Sequence, residues 1–364
     1  MRLTAVLVVL STFTLGAHLD HAAAQDQSPT APAFRNWDKD KDGFVSPQEF
    51  PKRMGQALFD RVDTNQDGKI SQQEDTAFRA KNRNAKKREV ANVQRDIIYA
   101  TVGDRKLPLD LHRPAKSLNK NEAMPLVIWI HGGGWKSGSK NGIGPAAELL
   151  SRGYAVASVE YRLSGEAIFP AAVNDCKAAI SFLRANASKF NIDPQRFGVW
   201  GSSAGGHLAA MVGTTGDTDE FEKHPIAAKT LSHVQAVCDW FGPTDFLRMN
   251  DVKGSIDHDA ANSPESKFIG GPIQSNQKKV QQANPITYVS AADPPFLIMH
   301  GDADKAVPYG QSEQLHAALK KAGIQSELVM IKKGEHGFRG AEETRDELAE
   351  RGADFFDSIL RANK

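Results

Sequence analysis

Two cysteines in 364 residues are too few for a disulfide framework, so an apolar core must carry the fold. A formal net charge of +1, from 45 Lys and Arg against 44 Asp and Glu, removes any global pull toward nucleic acid or anionic surfaces. Long hydrophobic runs are scarce: the run Leu3–Ala17 is too short for a confident membrane span. What remains is 40% hydrophobic and 24% charged, ordinary for a soluble globular chain, and long enough for one large domain and a small module.

Residues 1–24 have the marks of a secretory leader, with Arg2 before the apolar run and Ala22–Ala24 offering small residues for cleavage. The expected location is therefore secreted or periplasmic, with no stable membrane anchor after cleavage; an uncleaved anchor is the other reading. Residues 25–33 are polar and Pro-rich, the composition of a disordered spacer. Export would permit a bond between Cys176, in an expected helix over 174–187, and Cys238, in an expected strand over 234–240. Both could equally be small buried apolar groups.

Residues 34–80 hold the same pattern twice. Asp38, Asp40, Asp42, Phe44, Ser46 and Glu49 fall at positions 1, 3, 5, 7, 9 and 12 of a loop, with Gly43 at position 6. Asp63, Asn65, Asp67, Lys69, Ser71 and Glu74 repeat it 25 residues later, with Gly68 at position 6. This spacing suits Ca²⁺: oxygens at 1, 3 and 5 converge, the carbonyl at 7 joins them, position 9 acts through water, and the acid at 12 closes the shell. Val45 and Ile70, both at position 8, should pair in a short ladder. Only Phe50–Val62 separates the loops, which predicts a compact EF-hand pair sharing an abbreviated helix. Residues 81–92 form a basic linker.

From residue 93 the pattern becomes strand and helix in alternation, predicting an α/β domain with a mainly parallel sheet and helices on both faces. A hairpin around Val102–Asp104 opens it. Strands follow at 125–130, 154–160, 195–200, 234–240, 295–300 and 326–331. Helices are expected near 144–151 and at 170–187, 204–213, 310–322 and 341–361. Residues 246–293 interrupt the alternation and suggest a cap or pocket wall.

The sequence Gly201-Ser202-Ser203-Ala204-Gly205 joins a strand to a helix. Strand, G-x-S-x-G and helix together resemble the nucleophile elbow of α/β-hydrolases, with Ser203 as nucleophile. Upstream, His131-Gly132-Gly133-Gly134-Trp135 follows the strand 125–130 and resembles the H-G-G-G loop of esterases and lipases in that superfamily. The resemblance implies an oxyanion hole from the N–H groups of Gly133, Gly134 and Ala204, set to receive the charge that develops on an ester carbonyl. His300-Gly301-Asp302-Ala303-Asp304 resembles the acid loop, at which Asp304 is the matching residue, with Asp302 and Asp245 as rivals. Gly334-Glu335-His336-Gly337-Phe338 resembles the histidine loop, so the order serine, acid, histidine selects His336. His131 and His300 are expected to bond loop backbone, His207 to pack in its helix and His258 to lie in a polar loop. Trp135, Trp240 and Phe241 are candidates for the substrate rim, against an alternative role in the core.

The resemblance covers roughly residues 93–362 and implies a serine carboxylic-ester hydrolase. Tyr161–Leu163 and Phe169–Ala172 add likeness to acetylxylan and feruloyl esterases, hence to esters of plant polysaccharide. No cofactor is expected for catalysis. A serine exopeptidase of the prolyl-oligopeptidase type uses a similar domain, but carries a large N-terminal β-propeller where this chain has EF-hands. A third reading is a Ca²⁺-binding protein with a retired hydrolase fold.

Overall fold

The computed structural model describes residues 34, 37–50, 56–78, 92–115, 122–218, 220–221 and 232–361. The expected leader, the spacer and all of the basic linker but Asn92 lie outside these. The EF-hand segment contains β1 (Phe44–Val45), α1 (Gln56–Val62) and β2 (Ile70–Ser71), followed by helical residues 72–78. The two strands are antiparallel, with Val45 opposite Ile70 as the repeat requires. Both loops bend alike: Lys41 and Gln66 at position 4 and Gly43 and Gly68 at position 6 all have positive φ. Phe34, Val45, Phe50, Phe59, Val62 and Ile70 form a small core of their own.

The α/β part is an eight-stranded sheet. Its strands are β3 (Asn92–Val102), β4 (Arg105–Arg113), β5 (Met124–Ile130), β6 (Ala155–Val159), β7 (Ile192–Ser202), β8 (Ala236–Trp240), β9 (Phe296–Gly301) and β10 (Ser326–Ile331). Their order is β10-β9-β8-β7-β5-β6-β4-β3. Neighbours from β10 to β6 are parallel, while the opening hairpin β3–β4 adds two antiparallel edge strands. The main helices are α2 (Ala171–Ala185), α3 (Ala204–Thr214), α6 (Gly310–Lys321) and α7 (Arg345–Leu360). Between β8 and β9 the insertion holds α4 (Pro264–Ile269) and α5 (Gln277–Ala283), joined by 3-10 turns.

Strand parity explains the continuous apolar runs. Successive side chains leave a strand on opposite faces, and a parallel sheet covered on both sides needs apolar residues at both parities. Leu126, Ile128 and Ile130 of β5 join a core with residues of α2 and α3, while Val127 and Trp129 join a second core with residues of α7. In β9, Phe296 and Ile298 enter the first core, and Leu297 and Met299 the second.

The two cores also separate the cysteines. Cys176 lies in the first core and Cys238 in the second, both free and buried, so they are apolar fillers and not a bridge. The last helix starts four residues later than its pattern predicts, because Thr344 caps it. Thr344 Oγ1 accepts the Glu347 N–H at 3.2 Å, and the Thr344 N–H donates to Glu347 Oε2 at 2.9 Å. Such a reciprocal pair satisfies two N–H groups that would otherwise lack partners. His258 also departs from expectation. It lies in a turn among polar residues, but its ring is buried in the insertion, with Nδ1 3.0 Å from Glu265 Oε2.

Candidate active site

Three parallel strands converge where the sequence places its small residues. The end of β7 turns into α3 at Ser203, whose φ of 56° and ψ of −124° lie outside the ordinary regions. The turn is held from the neighbouring strand: the Ser203 N–H donates to the carbonyl of Trp240, at the end of β8, at 2.8 Å. Glycine is needed at Gly205, where a Cβ would run into the carbonyl groups of Ile130 and His131.

The loop after β9 supplies Asp304 and the loop after β10 supplies His336. His336 Nε2 lies 3.0 Å from Ser203 Oγ, and its Nδ1 lies 2.7 Å from Asp304 Oδ2. Asp304 is buried, and its other oxygen accepts the N–H groups of Ala306 at 2.8 Å and Val307 at 3.0 Å. Burial alone would raise its pKa, but hydrogen bonds from His300 and His336 outweigh burial and hold the carboxyl well below its ordinary range. The rivals lie elsewhere: Asp302 is exposed, and Asp245 caps the turn Phe246–Arg248 by accepting the Leu247 N–H at 3.2 Å. Chain order does not select His336 alone, since His316 also follows Asp304. His316 sits in α6 with Nδ1 2.9 Å from Ser326 Oγ.

The loop Gly132–Trp135 rests on this turn. A Cβ added to Gly132 would lie 3.3 Å from Ser203 Cβ. Gly133 and Gly134 have φ of 118° and 58°, open to glycine. Among the described residues, no hydrogen bond engages the N–H groups of Gly133, Gly134 or Ala204. Ala204 begins α3, where an N–H has no partner within the helix.

Residues 109–319, more than half of the chain, match the BD-FAE family model, and residues 31–54 and 56–74 match the EF hand model. The chain belongs to the BD-FAE family. It is 30% identical over 241 residues to a probable carboxylic ester hydrolase, LipM, of Mycobacterium tuberculosis, covering 64% of this chain and 54% of LipM. Esterase LipQ of the same organism is 30% identical over 275 residues, covering 72% of this chain and 62% of LipQ. The chain thus spans less than two thirds of either relative. Among solved structures, a truncated carbohydrate esterase from gut microbiota is 33% identical with a TM-score of 0.65, covering 75% of this chain and 98% of that one. Esterase 2 of the planctomycete Thermogutta terrifontis is 26% identical with a TM-score of 0.57, covering 73% and 91%. The sheet, its flanking helices and these neighbours make this an α/β-hydrolase fold.

In this BD-FAE chain, the rim aromatics need correction. Trp135 and Trp240 are each 1% exposed and belong to the core. Trp135 stacks on Phe268 at 4.8 Å, and Trp240 packs on Trp200 and Phe338 at 5.3 and 4.9 Å. Phe241 is buried too, and its ring meets the His336 ring edge-on at 4.9 Å. Sequence reasoning also missed the reach of His300. Beyond the Val307 carbonyl at 2.9 Å, its Nε2 lies 3.5 Å from Asp304 Oδ2.

The EF-hand loops fit a cation. Oxygens of Asp38, Asp40 and Asp42 lie within 4.8 Å of one another, and Asp38 Oδ1 is buried without a hydrogen-bond partner. Glu49 Oε2 accepts from Ser46 Oγ at 2.7 Å, and bonds from Ser46, Lys39 and Asp40 outweigh desolvation and draw its carboxyl down to about 2. In Glu74 burial opposes ionisation, yet bonds from Ser71, Asn65 and Thr64 bring it to about 2 as well.

One carboxyl behind the site has the opposite character. Asp239 of β8 is fully buried, its Oδ1 accepts the Gly242 N–H at 2.9 Å, and its Oδ2 has no partner. Burial, partly offset by that bond, pushes it up to about 7. An unfolded Asp titrates near about 3.9, so between about pH 4 and 7 the unfolded chain binds fewer protons, and folding stability falls as pH rises through that window. We therefore expect the stability of Asp239→Asn relative to the natural chain to increase from pH 4 to pH 7, by up to about 4 kcal/mol at about 1.4 kcal/mol per tenfold change in the ionisation equilibrium. Urea unfolding across that range reads the difference. A constant difference would mean that Asp239 is ionised throughout.

Proposed function

We propose that the chain is an exported serine carboxylic-ester hydrolase acting on small acyl esters of carbohydrate. The observation that carries this reading is the continuous chain Asp304–His336–Ser203, at 2.7 and 3.0 Å. Ser203 Oγ attacks the acyl carbon while His336 Nε2 takes its proton. Asp304 holds the ring by Nδ1 and stabilises the imidazolium. The N–H groups of Gly133, Gly134 and Ala204 receive the charge on the carbonyl oxygen. His336 then returns the proton to the leaving alcohol. Water, activated by the same histidine, releases the acid and restores Ser203. The carbohydrate preference draws its support from the gut carbohydrate esterase, and export from residues 1–24.

Calcium belongs to the reading as a ligand of the EF-hand loops. Side chains of Asp38, Asp40, Asp42, Ser46 and Glu49 and the carbonyl of Phe44 would hold one ion. Those of Asp63, Asn65, Asp67, Ser71 and Glu74 and the carbonyl of Lys69 would hold another. The ions neutralise carboxylates that otherwise repel one another. They supply no step of ester cleavage.

Ser203→Ala is expected to abolish p-nitrophenyl acetate turnover with the fold intact, and Asp304→Asn to lower kcat by up to about 10⁴. Asp302→Asn should cost far less. Asp302→Asn proving the more damaging of the two would mean that the acid loop is misread by two residues. A panel of acetylated xylan, feruloyl esters, long-chain esters and prolyl peptides tests the substrate class, which fails if the last two are preferred.

Chelation with EGTA should open residues 37–78 to proteolysis while kcat/KM on p-nitrophenyl acetate stays within about tenfold, equivalent to about 1.4 kcal/mol. Ligand linkage stabilises the unit that binds. A larger fall would show that the EF-hand pair supports the active site directly.

A further inference from the structure

We propose that His207 is a positioning residue for the oxyanion loop, its imidazole tying the indole of Trp135 to the helix that carries Ser203 and to the end of α5. The inference rests on the ester-hydrolase reading above. Three glycines leave the loop 132–134 without side chains to anchor it, yet oxyanion stabilisation requires N–H groups fixed before the charge forms. The next residue, Trp135, supplies the anchor. Its φ of 55° is a left-handed conformation that a bulky residue keeps only when its surroundings enforce it.

Those surroundings meet at one ring. Trp135 Nε1 lies 3.2 Å from His207 Nδ1, and His207 Nε2 lies 2.7 Å from the Ala283 carbonyl oxygen. An indole nitrogen only donates, so Nδ1 accepts, and the proton sits on Nε2, which donates to Ala283. Both ring nitrogens are thus satisfied in a single neutral tautomer. Burial pushes the imidazole down to about 4, which keeps that tautomer at neutral pH. Around the ring stand Trp135 and Phe246 at 5.1 Å and Phe268 at 5.6 Å. Phe268 belongs to α4, whose Pro264 would lie 3.4 Å from a Cβ on Gly134. The Trp135 carbonyl is held in turn by the Ser164 N–H at 2.8 Å. Since His207 sits one turn after Ser203 in α3, the serine and the loop N–H groups move as one body.

A double-mutant cycle with Trp135→Phe and His207→Leu tests this. Each single change should lower kcat on p-nitrophenyl acetate by about 10- to 100-fold with KM within about twofold, because the tie acts on the transition state. The double variant should be no worse than the worse single one, since both remove the same link. Losses that multiply, or a change confined to KM, overturn the proposal. If His207→Leu fails to fold, Trp135→Phe carries the test, and natural kcat in that variant overturns it. His207→Gln, which offers an acceptor and a donor, should recover kcat at least in part relative to His207→Leu; with both folded, equal loss overturns the proposal. Hydrogen exchange of the Trp135 indole, assigned by its disappearance in Trp135→Phe, separates failure of the tie from failure of the enzyme reading. It should be slow in the natural chain and fast in folded His207→Leu. Equal rates overturn the tie. Absence of ester turnover in the natural chain removes the function while leaving that measurement intact.

Discussion

The first turn of α3 is pressed against the ends of β5, β7 and β8, and the geometry of the site depends on that contact. Ser203 keeps its unusual backbone angles because its N–H is fixed to the Trp240 carbonyl and because Gly205 lets strand-end carbonyls approach. Strain of this kind persists only where neighbouring structure over-determines it. Here the neighbours are two sheet strands with apolar cores on both faces. The same contact brings Gly132 against Ser203 Cβ, so a glycine loop and a serine meet at the carboxyl end of the sheet. Parallel sheets gather their strand ends on one side, and ligands bind there.

The two histidine-side loops depend on the sheet in another way. β9 and β10 run parallel in register from Phe296 opposite Ser326 to Gly301 opposite Ile331, so Asp304 and His336 leave the sheet at the same level. Asp304 then closes on the N–H groups of Ala306 and Val307, and Phe241 and Phe338 wall the His336 side. Burial makes the carboxylate expensive to ionise, and the bonds from His300, His336 and Val307 more than offset it. Packing and charge therefore fix one orientation of the ring, with Nδ1 toward Asp304 and Nε2 toward Ser203.

Much of this was legible in the sequence because the signals are local. Small residues around Ser203, the glycines after β5 and the two aspartate-rich loops each declare a backbone shape within a dozen positions. Strand and helix order followed from periodicity. What escaped the sequence depends on direction and distance. Trp240 and Phe241 are adjacent at a strand end; Trp240 follows Ala236 and Cys238 of β8 into the α7 core, and Phe241, just past the strand with a φ of 48°, joins the same core. Trp135 turns inward because its φ is positive, which no composition rule announces. His258 was hidden by polar neighbours, while its partner Glu265 stands seven residues away across a turn. The start of α7 was readable after all: Thr344 and Glu347 have capping-box spacing, and the apolar pattern masked it.

The central claim is that the elbow and the His336 ring make Ser203 a nucleophile. A fluorophosphonate, which traps an activated serine whether or not later steps are fast, tests it most directly. The account predicts one adduct per chain, on Ser203 in the digested peptide, and labelling slowed steeply in His336→Gln. An adduct on Ser202, or labelling of His336→Gln at the natural rate, would contradict it.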